Sequence, residues 1–145
     1  MKLSEHFTLD EAILSQTAVR LGIDNVPDKY TVSHMVQAAN GLEQVRDLLG
    51  CVIHVNSWFR ILRLNRAIGS HDNSAHIQGW AIDFTAPNFG SPLEICKAIV
   101  ESDIDYDQVI NEQKWVHISF APTMRKMALT AHFNNGRAEY KEGIH

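Results

Sequence analysis

The sequence predicts an α+β fold, in which helices flank a small antiparallel sheet. Residues 31–49 carry apolar side chains at mixed three- and four-residue spacing, as an amphipathic helix does. Residues 80–85 and 115–120 contain alternating side chains that indicate short strands with one buried face. A chain of 145 residues is long enough for one domain with its own core, so we expect 1–145 to form a single domain.

Composition excludes several classes of protein. Hydrophobic residues make up 45% of the chain and charged residues 21%, which is ordinary for a soluble globular protein. The net charge of -4 gives no electrostatic basis for binding nucleic acid or an acidic membrane. No apolar run could span a bilayer, and the first residues lack the apolar core of a signal peptide. We therefore expect cytoplasmic synthesis and a monomer with neither nucleic-acid nor membrane partners.

The N-terminal half is predicted to hold two helices and a strand. Thr8 and Glu11 have the spacing of a capping box, so a first helix is expected from there to Leu21. Gly50 is well placed to end the amphipathic helix. The short β-branched segment 51–56 then predicts a strand that leads toward Arg60.

The C-terminal half is predicted to hold a helix and a hairpin. Residues 91–94, Ser-Pro-Leu-Glu, combine a capping box with a proline at the first helical position. Residues 106–111 and 115–120 are predicted to pair as a hairpin. Residues 124–133 are expected to add an edge strand, and residues 137–145 to form a frayed tail.

Three polar residues stand out against these elements. His76 follows a loop rich in Ser, Asn and Asp, while Asp83 and His117 lie on the non-core faces of the two predicted strands. Two imidazoles and a carboxylate around one zinc ion leave a fourth position open for water, which is the catalytic arrangement. Taken singly, each residue would more often be an ordinary loop or solvated strand residue than a ligand.

The spacing of these residues resembles a known family. The pattern Ser74-x-His76-x-x-Gly79-x-Ala81-x-Asp83, followed by Trp115-x-His117, is similar to that of the zinc D-Ala-D-Ala peptidases. That group includes VanX-like dipeptidases, DD-carboxypeptidases and phage endolysins, and the chain resembles its compact phage and prophage branch. Further matches occur in the same order, at Ser57-Trp58-Phe59-Arg60, Asn65 and Tyr106-Asp107-Gln108-Val109-Ile110.

The resemblance implies a Hedgehog/DD-peptidase-like fold and a zinc metallopeptidase. It implies His76, Asp83 and His117 as ligands of Zn²⁺ and a peptidoglycan stem peptide as substrate. The bond cut would be that of a D-Ala-D-Ala carboxypeptidase or of an L-Ala-D-Glu-type endopeptidase. A phage or host export route would have to deliver such an enzyme to the cell wall. The alternative is a non-catalytic zinc-binding domain, such as a phage virion component.

The resemblance also implies an acidic catalytic residue just before the last ligand. Glu112 is the candidate general base, although it lies five residues before His117 and so requires a turn or bulge. Many family members have the acid three residues before this histidine, where the present chain has Lys114. Asp107 is the alternative base.

The remaining site residues are assigned to the substrate. Arg60 is expected to hold a substrate carboxylate or the scissile carbonyl through its planar guanidinium. Ser74 is expected to form a hydrogen bond near the metal, and Trp115 to wall the substrate groove. Trp58 and Phe59 replace the Gly-Tyr of the family, so the adjoining wall is expected to differ. His71 is a rival ligand that fits no family position.

Overall fold

The structure is a computed structural model that describes residues 1–145. Five helices and six strands form one sheet with helices packed against it. The helices are α1 (Leu9–Ile13), α2 (Gln16–Leu21), α3 (Lys29–Leu49), α4 (Leu62–Ala67) and α5 (Pro92–Val100). The strands are β1 (His54–Ser57), β2 (Ala81–Thr85), β3 (Gln108–Asn111), β4 (Val116–Ser119), β5 (Met127–Asn134) and β6 (Arg137–Glu142).

The capping signals start helices where the sequence predicts. The Thr8 hydroxyl accepts a hydrogen bond from the Glu11 amide, and the Glu11 carboxylate accepts one from the Thr8 amide. The predicted helix to Leu21 is nevertheless two short helices, because Leu14 is extended and the Ser15 hydroxyl caps α2. The long helix ends as expected at Gly50, whose φ of 65° is left-handed.

The core lies between one face of the sheet and helices α3 and α5. Met35, Leu42 and Val45 of α3 are fully buried, as are Ile95 and Ile99 of α5. The sheet contributes the apolar side chains that alternate along its central strands. These buried sheet residues are Ile82, Phe84, Val109, Val116 and Ile118. The opposite side chains of the same strands are thereby left for a cleft.

The sheet has the order β1-β2-β4-β3-β5-β6. The α+β class is confirmed, and β3 and β4 form the predicted antiparallel hairpin. The sheet is larger than predicted, and it is mixed, since β5 pairs in parallel with β3. The prediction of an edge strand at 124–133 is wrong, because β5 has a neighbour on each side.

The prediction of a frayed tail at 137–145 is also wrong. Residues Arg137–Glu142 form β6, which pairs antiparallel with β5 through a turn at Asn135 and Gly136. Every residue of β6 is exposed, so the alternation of Ala138 and Tyr140 with charged residues in the sequence does not mark a buried face. Backbone pairing alone defines the strand.

Two further observations concern the whole chain. Cys51 and Cys96 are both free thiols. No helix combines the length and the apolar character that crossing a membrane requires.

Candidate metal centre

Three side chains from separate parts of the chain meet at the floor of one cleft. His76, Asp83 and His117 each offer one ligand atom, and these atoms lie within 4.8 Å of one another. The Nε2 atom of His76 is 3.3 Å from Oδ1 of Asp83, and Nδ1 of His117 is 2.9 Å from the same oxygen. The cleft has a volume of about 410 Å³.

Strand register places two of these residues side by side. Asp83 of β2 and His117 of β4 are directly opposed partners in the antiparallel pair. Side chains of opposed residues on one face approach closely, whereas the neighbouring pair, Ile82 and Ile118, faces the core. The alternation in the sequence therefore predicts the correct face for both residues.

The third residue is held by the segment before α4. Nδ1 of His76 donates to the carbonyl of Trp58 at 2.7 Å, and the Trp58 indole donates to the Gly79 carbonyl at 2.9 Å. Trp58 is only 1% exposed and packs edge-to-face on Phe7. The replacement of the family's glycine by Trp58 thus braces the His76 loop from the core instead of altering the cleft wall.

Gly79 closes the same loop, and its replacement by alanine is expected to destabilise the protein. Its φ is 82°, and an added Cβ would lie 2.6 Å from Cγ of Met35. Gly22, with a φ of 66° and open space around it, is the matched control. We expect Gly22→Ala to cost about 1 kcal/mol for the left-handed backbone alone. Gly79→Ala should cost about 1–3 kcal/mol more through overpacking, as measured by urea unfolding. Equal losses in the two variants would contradict this.

The donor set fits a divalent cation. Because Nδ1 of His76 donates to Trp58, its Nε2 presents a lone pair to a carboxylate oxygen. Burial lowers the pKa of His76, so protonation of the ring does not readily relieve this contact. A cation between Nε2 of His76 and Oδ1 of Asp83 would relieve it. Ligand atoms around tetrahedral zinc are about 3.3 Å apart for bonds of about 2.0–2.1 Å, close to the observed 3.3 and 2.9 Å.

The Asp83 carboxylate also stays charged. Burial pushes the pKa of Asp83 upward, but that pKa still lies well below its usual range, and the hydrogen bond from His117 is one of the causes. Asp83 is 7% exposed. A buried carboxylate that stays ionised beside two nitrogen donors has the charge that a metal ligand needs.

Arg60 contacts the second oxygen of this carboxylate. Its Nη2 donates to Oδ2 of Asp83 at 3.3 Å, its Nη1 to Asn65 at 3.2 Å and its Nε to Ser57 at 3.1 Å. Burial lowers the pKa of Arg60, and Asp83 opposes that shift. The side chain is 13% exposed and borders the cleft. It also borders a neighbouring pocket of about 510 Å³, whose lining includes none of the three converging residues.

Glu112 lies on the same side of the sheet as His117. Asn111 pairs with Val116, so the next residue on each strand turns to the cleft. The Glu112 amide donates to the Trp115 carbonyl at 3.1 Å, and Gln113 has a φ of 74°. This tight turn provides the change of chain direction that the five-residue spacing between Glu112 and His117 requires. Burial raises the pKa of Glu112, and it is 9% exposed.

Asp107, the alternative base, also borders the cleft but is already engaged. Arg125 donates to it from Nε at 2.9 Å and from Nη2 at 2.8 Å, and Thr123 donates at 2.6 Å. The Arg125 hydrogen bonds lower the pKa of Asp107 to about 2. A carboxylate so weakly basic is poorly matched to accepting a proton at neutral pH.

Arg125→Gln is expected to reduce stability in a pH-dependent way. The folded pKa of Asp107, about 2, lies below the unfolded value of about 3.9. The pair therefore stabilises the fold above the unfolded pKa, and this contribution is lost as the pH falls toward the folded one. Because the Arg125 side chain is 52% exposed, we expect about 1 kcal/mol at neutral pH after screening.

The measurement is urea unfolding of both proteins from neutral pH down to about pH 3, within the window set by the two pKa values. The matched control is Arg66→Gln, which breaks the exposed pair with Asp72 and should lower stability much less. A stability difference for Arg125→Gln that persists undiminished in acid would show that the pair is not its source.

The other predicted residues border the cleft with different contacts. Ser74 accepts a hydrogen bond from the His76 amide at 3.3 Å, and half-buried Trp115 lies just before β4. His71 lies on the rim but outside the group of converging ligand atoms. Phe59 borders the neighbouring pocket instead. Sequence reasoning missed Tyr140, which enters the cleft from β6, because an exposed tyrosine in a segment predicted to be a tail gives no sign of a contact with residues distant in sequence.

Two imidazoles, an ionised carboxylate and a nearby glutamate of raised pKa in one cleft are the groups that a metal-dependent hydrolase uses. The chain belongs to the peptidase M15 family, whose model matches residues 5–119. It is thus a zinc peptidase by family, and the predicted membership in the zinc D-Ala-D-Ala peptidase group is confirmed. No curated protein matches the chain. The family match ends with β4, so β5 and β6 lie outside it.

Proposed function

We propose that this protein hydrolyses an amide bond in peptidoglycan stem peptides, as a D-Ala-D-Ala carboxypeptidase or as an L-Ala-D-Glu-type endopeptidase. One observation carries the proposal: Glu112 faces the same cleft in which His76, Asp83 and His117 converge. Membership in the peptidase M15 family supports it. The cleft is lined mainly by polar residues, as suits a peptide with free carboxylates and amides.

The proposed zinc ligands are Nε2 of His76, Oδ1 of Asp83 and Nδ1 of His117. Two of them, His76 and Asp83, are oriented by a second contact. The Trp58 carbonyl fixes the His76 ring, and Arg60 holds the other oxygen of Asp83. When bound, zinc supplies Lewis acidity that activates water near neutral pH and polarises a carbonyl.

Glu112 is the proposed general acid and base. Its carboxylate takes a proton from the attacking water and gives it to the leaving amine as the peptide bond breaks. Glu112 therefore ends in the protonation state in which it began. Burial raises its pKa toward the operating pH, which favours both transfers. Asp107, bound to Arg125, is held too acidic for this exchange.

Arg60 has a double role in this proposal. Three of its donors already hold Ser57, Asn65 and Asp83, which fixes the guanidinium at the edge of the cleft. A guanidinium has five N–H groups, so two remain for a substrate carbonyl or carboxylate. Trp115 and Ser74 border the same space and would contact the peptide on either side.

The experiment is metal analysis of the purified protein followed by hydrolysis assays. The chelated protein and the same protein restored with zinc are incubated with a stem pentapeptide, and the products are identified by mass. Loss of one D-Ala indicates the carboxypeptidase, and release of L-Ala from the rest indicates the endopeptidase. We expect activity only in the zinc-restored protein.

Two results would contradict the proposal. Full hydrolysis by the metal-free protein would remove the metal from the mechanism. Stoichiometric zinc without hydrolysis of either bond would instead favour the non-catalytic zinc-binding domain.

A further inference from the structure

A tyrosine from outside the family match enters the cleft. The match covers residues 5–119, whereas Tyr140 lies on β6. Its hydroxyl is 3.5 Å from Oε2 of Glu112 and is oriented to donate to that oxygen. The hairpin of β5 and β6 therefore brings a polar group to the side chain that we assign as general base.

Strand register explains how Tyr140 reaches this position. Asn111 pairs with Thr130 across β3 and β5, and Ala131 pairs with Tyr140 across β5 and β6. The same register, continued by one residue, places Glu112 beside Ala131 and thus in one row with Tyr140. The backbones of Glu112 and Tyr140 lie at the two ends of this row, two strand spacings or about 10 Å apart. Ala131 is small enough for the phenol to extend over it.

The hairpin is tied to the turn that carries Glu112. Gln113, the next residue along the chain, donates from Nε2 to the Ala131 carbonyl at 2.8 Å. The Gly143 amide donates to the Ala128 carbonyl at 2.8 Å, and the Thr130 hydroxyl donates to the Gly143 carbonyl at 2.7 Å. The first bond ties β5 to the turn, and the other two hold Gly143, the residue that follows β6. Because all of β6 is exposed, they do so without adding to the core.

We propose that Tyr140 is a positioning residue, whose hydroxyl donates a hydrogen bond to the Glu112 carboxylate and holds it toward the metal centre. The proposal rests on the function proposed above. The donor is permanent in the neutral range, since burial raises the pKa of Tyr140 to about 12. The same bond lowers the pKa of Glu112, against the larger effect of burial.

Tyr140→Phe tests this, because it keeps the ring and removes the hydroxyl. We expect kcat to fall about tenfold, the usual effect of losing one hydrogen bond to a charged group, with KM nearly unchanged. The acid limb of the pH profile should move to higher pH, because the carboxylate loses a donor that favours its charged form. The matched control is Tyr30→Phe, at a site 76% exposed and away from the cleft, which should change neither.

A second measurement needs no activity. The side-chain carboxyl of Glu112 is followed by carbon-13 NMR in the zinc-free protein, with Glu112→Gln to assign the signal. We expect a higher Glu112 pKa in Tyr140→Phe than in the wild type. An unchanged pKa together with unchanged kcat would overturn the positioning role. If the wild type cleaves no wall peptide but the two titrations differ, the proposed function fails and the positioning contact stands.

Discussion

Glu112→Gln is expected to lower kcat by about 10²–10⁴-fold, the usual contribution of a general acid–base residue. Glutamine keeps the size of the side chain but cannot exchange a proton at neutral pH. KM should change little, because Glu112 acts on the water and the leaving amine rather than on the bound peptide. The measurement is steady-state hydrolysis of the stem peptide by the zinc-loaded protein.

A measurement of zinc binding shows whether activity is lost through the missing carboxylate or through damage to the metal centre. Glu112 lies outside the group of converging ligand atoms, so the variant should bind zinc as the wild type does. Asp107→Asn is the matched comparison, since Asp107 borders the same cleft but is bound by Arg125. We expect its kcat to stay within a few fold of wild type. A large loss in Asp107→Asn with normal kcat in Glu112→Gln would reverse the assignment of the base.

Asp83→Ala is expected to abolish both zinc binding and hydrolysis. The substitution removes one of three proposed ligands. Changes in the residues around a ligand typically lower metal affinity by about 10–100-fold, so zinc affinity should fall by more than this. It also leaves the Arg60 guanidinium, 13% exposed, without its carboxylate. Breaking a buried ion pair from one side costs about 3 kcal/mol, which should appear in urea unfolding of the zinc-free protein.

A double variant distinguishes the two effects of Asp83→Ala. Replacing Arg60 by Met as well removes the unpaired charge, so stability should partly recover while zinc binding should not. Asp72→Ala is the surface control, because both partners of the Asp72–Arg66 pair are exposed. We expect it to lower stability far less than Asp83→Ala does and to leave zinc binding unchanged. Wild-type zinc affinity in Asp83→Ala would exclude this residue as a ligand.

Local patterns made much of the fold predictable. Capping residues such as Thr8 and Ser91, and the helix end at Gly50, are where the sequence places them, because each signal depends on a few neighbouring residues. Alternation assigned Asp83 and His117 to the non-core face of their strands. The fixed spacing of the motif then predicted which polar residues meet, although they are far apart along the chain.

The sequence by itself determined the fold class, the family and the three residues of the candidate metal centre. The tertiary structure alone decided the parallel pairing of β5 with β3, the existence of β6 and the entry of Tyr140 into the cleft. Those features depend on backbone hydrogen bonds and on contacts between residues distant in sequence, and β6 is exposed throughout. The apolar residues of β6 are only Ala138 and Tyr140, and neither is buried, so the sequence does not distinguish this strand from an exposed tail. Pairing of the backbone does not depend on which side chains alternate along the strand.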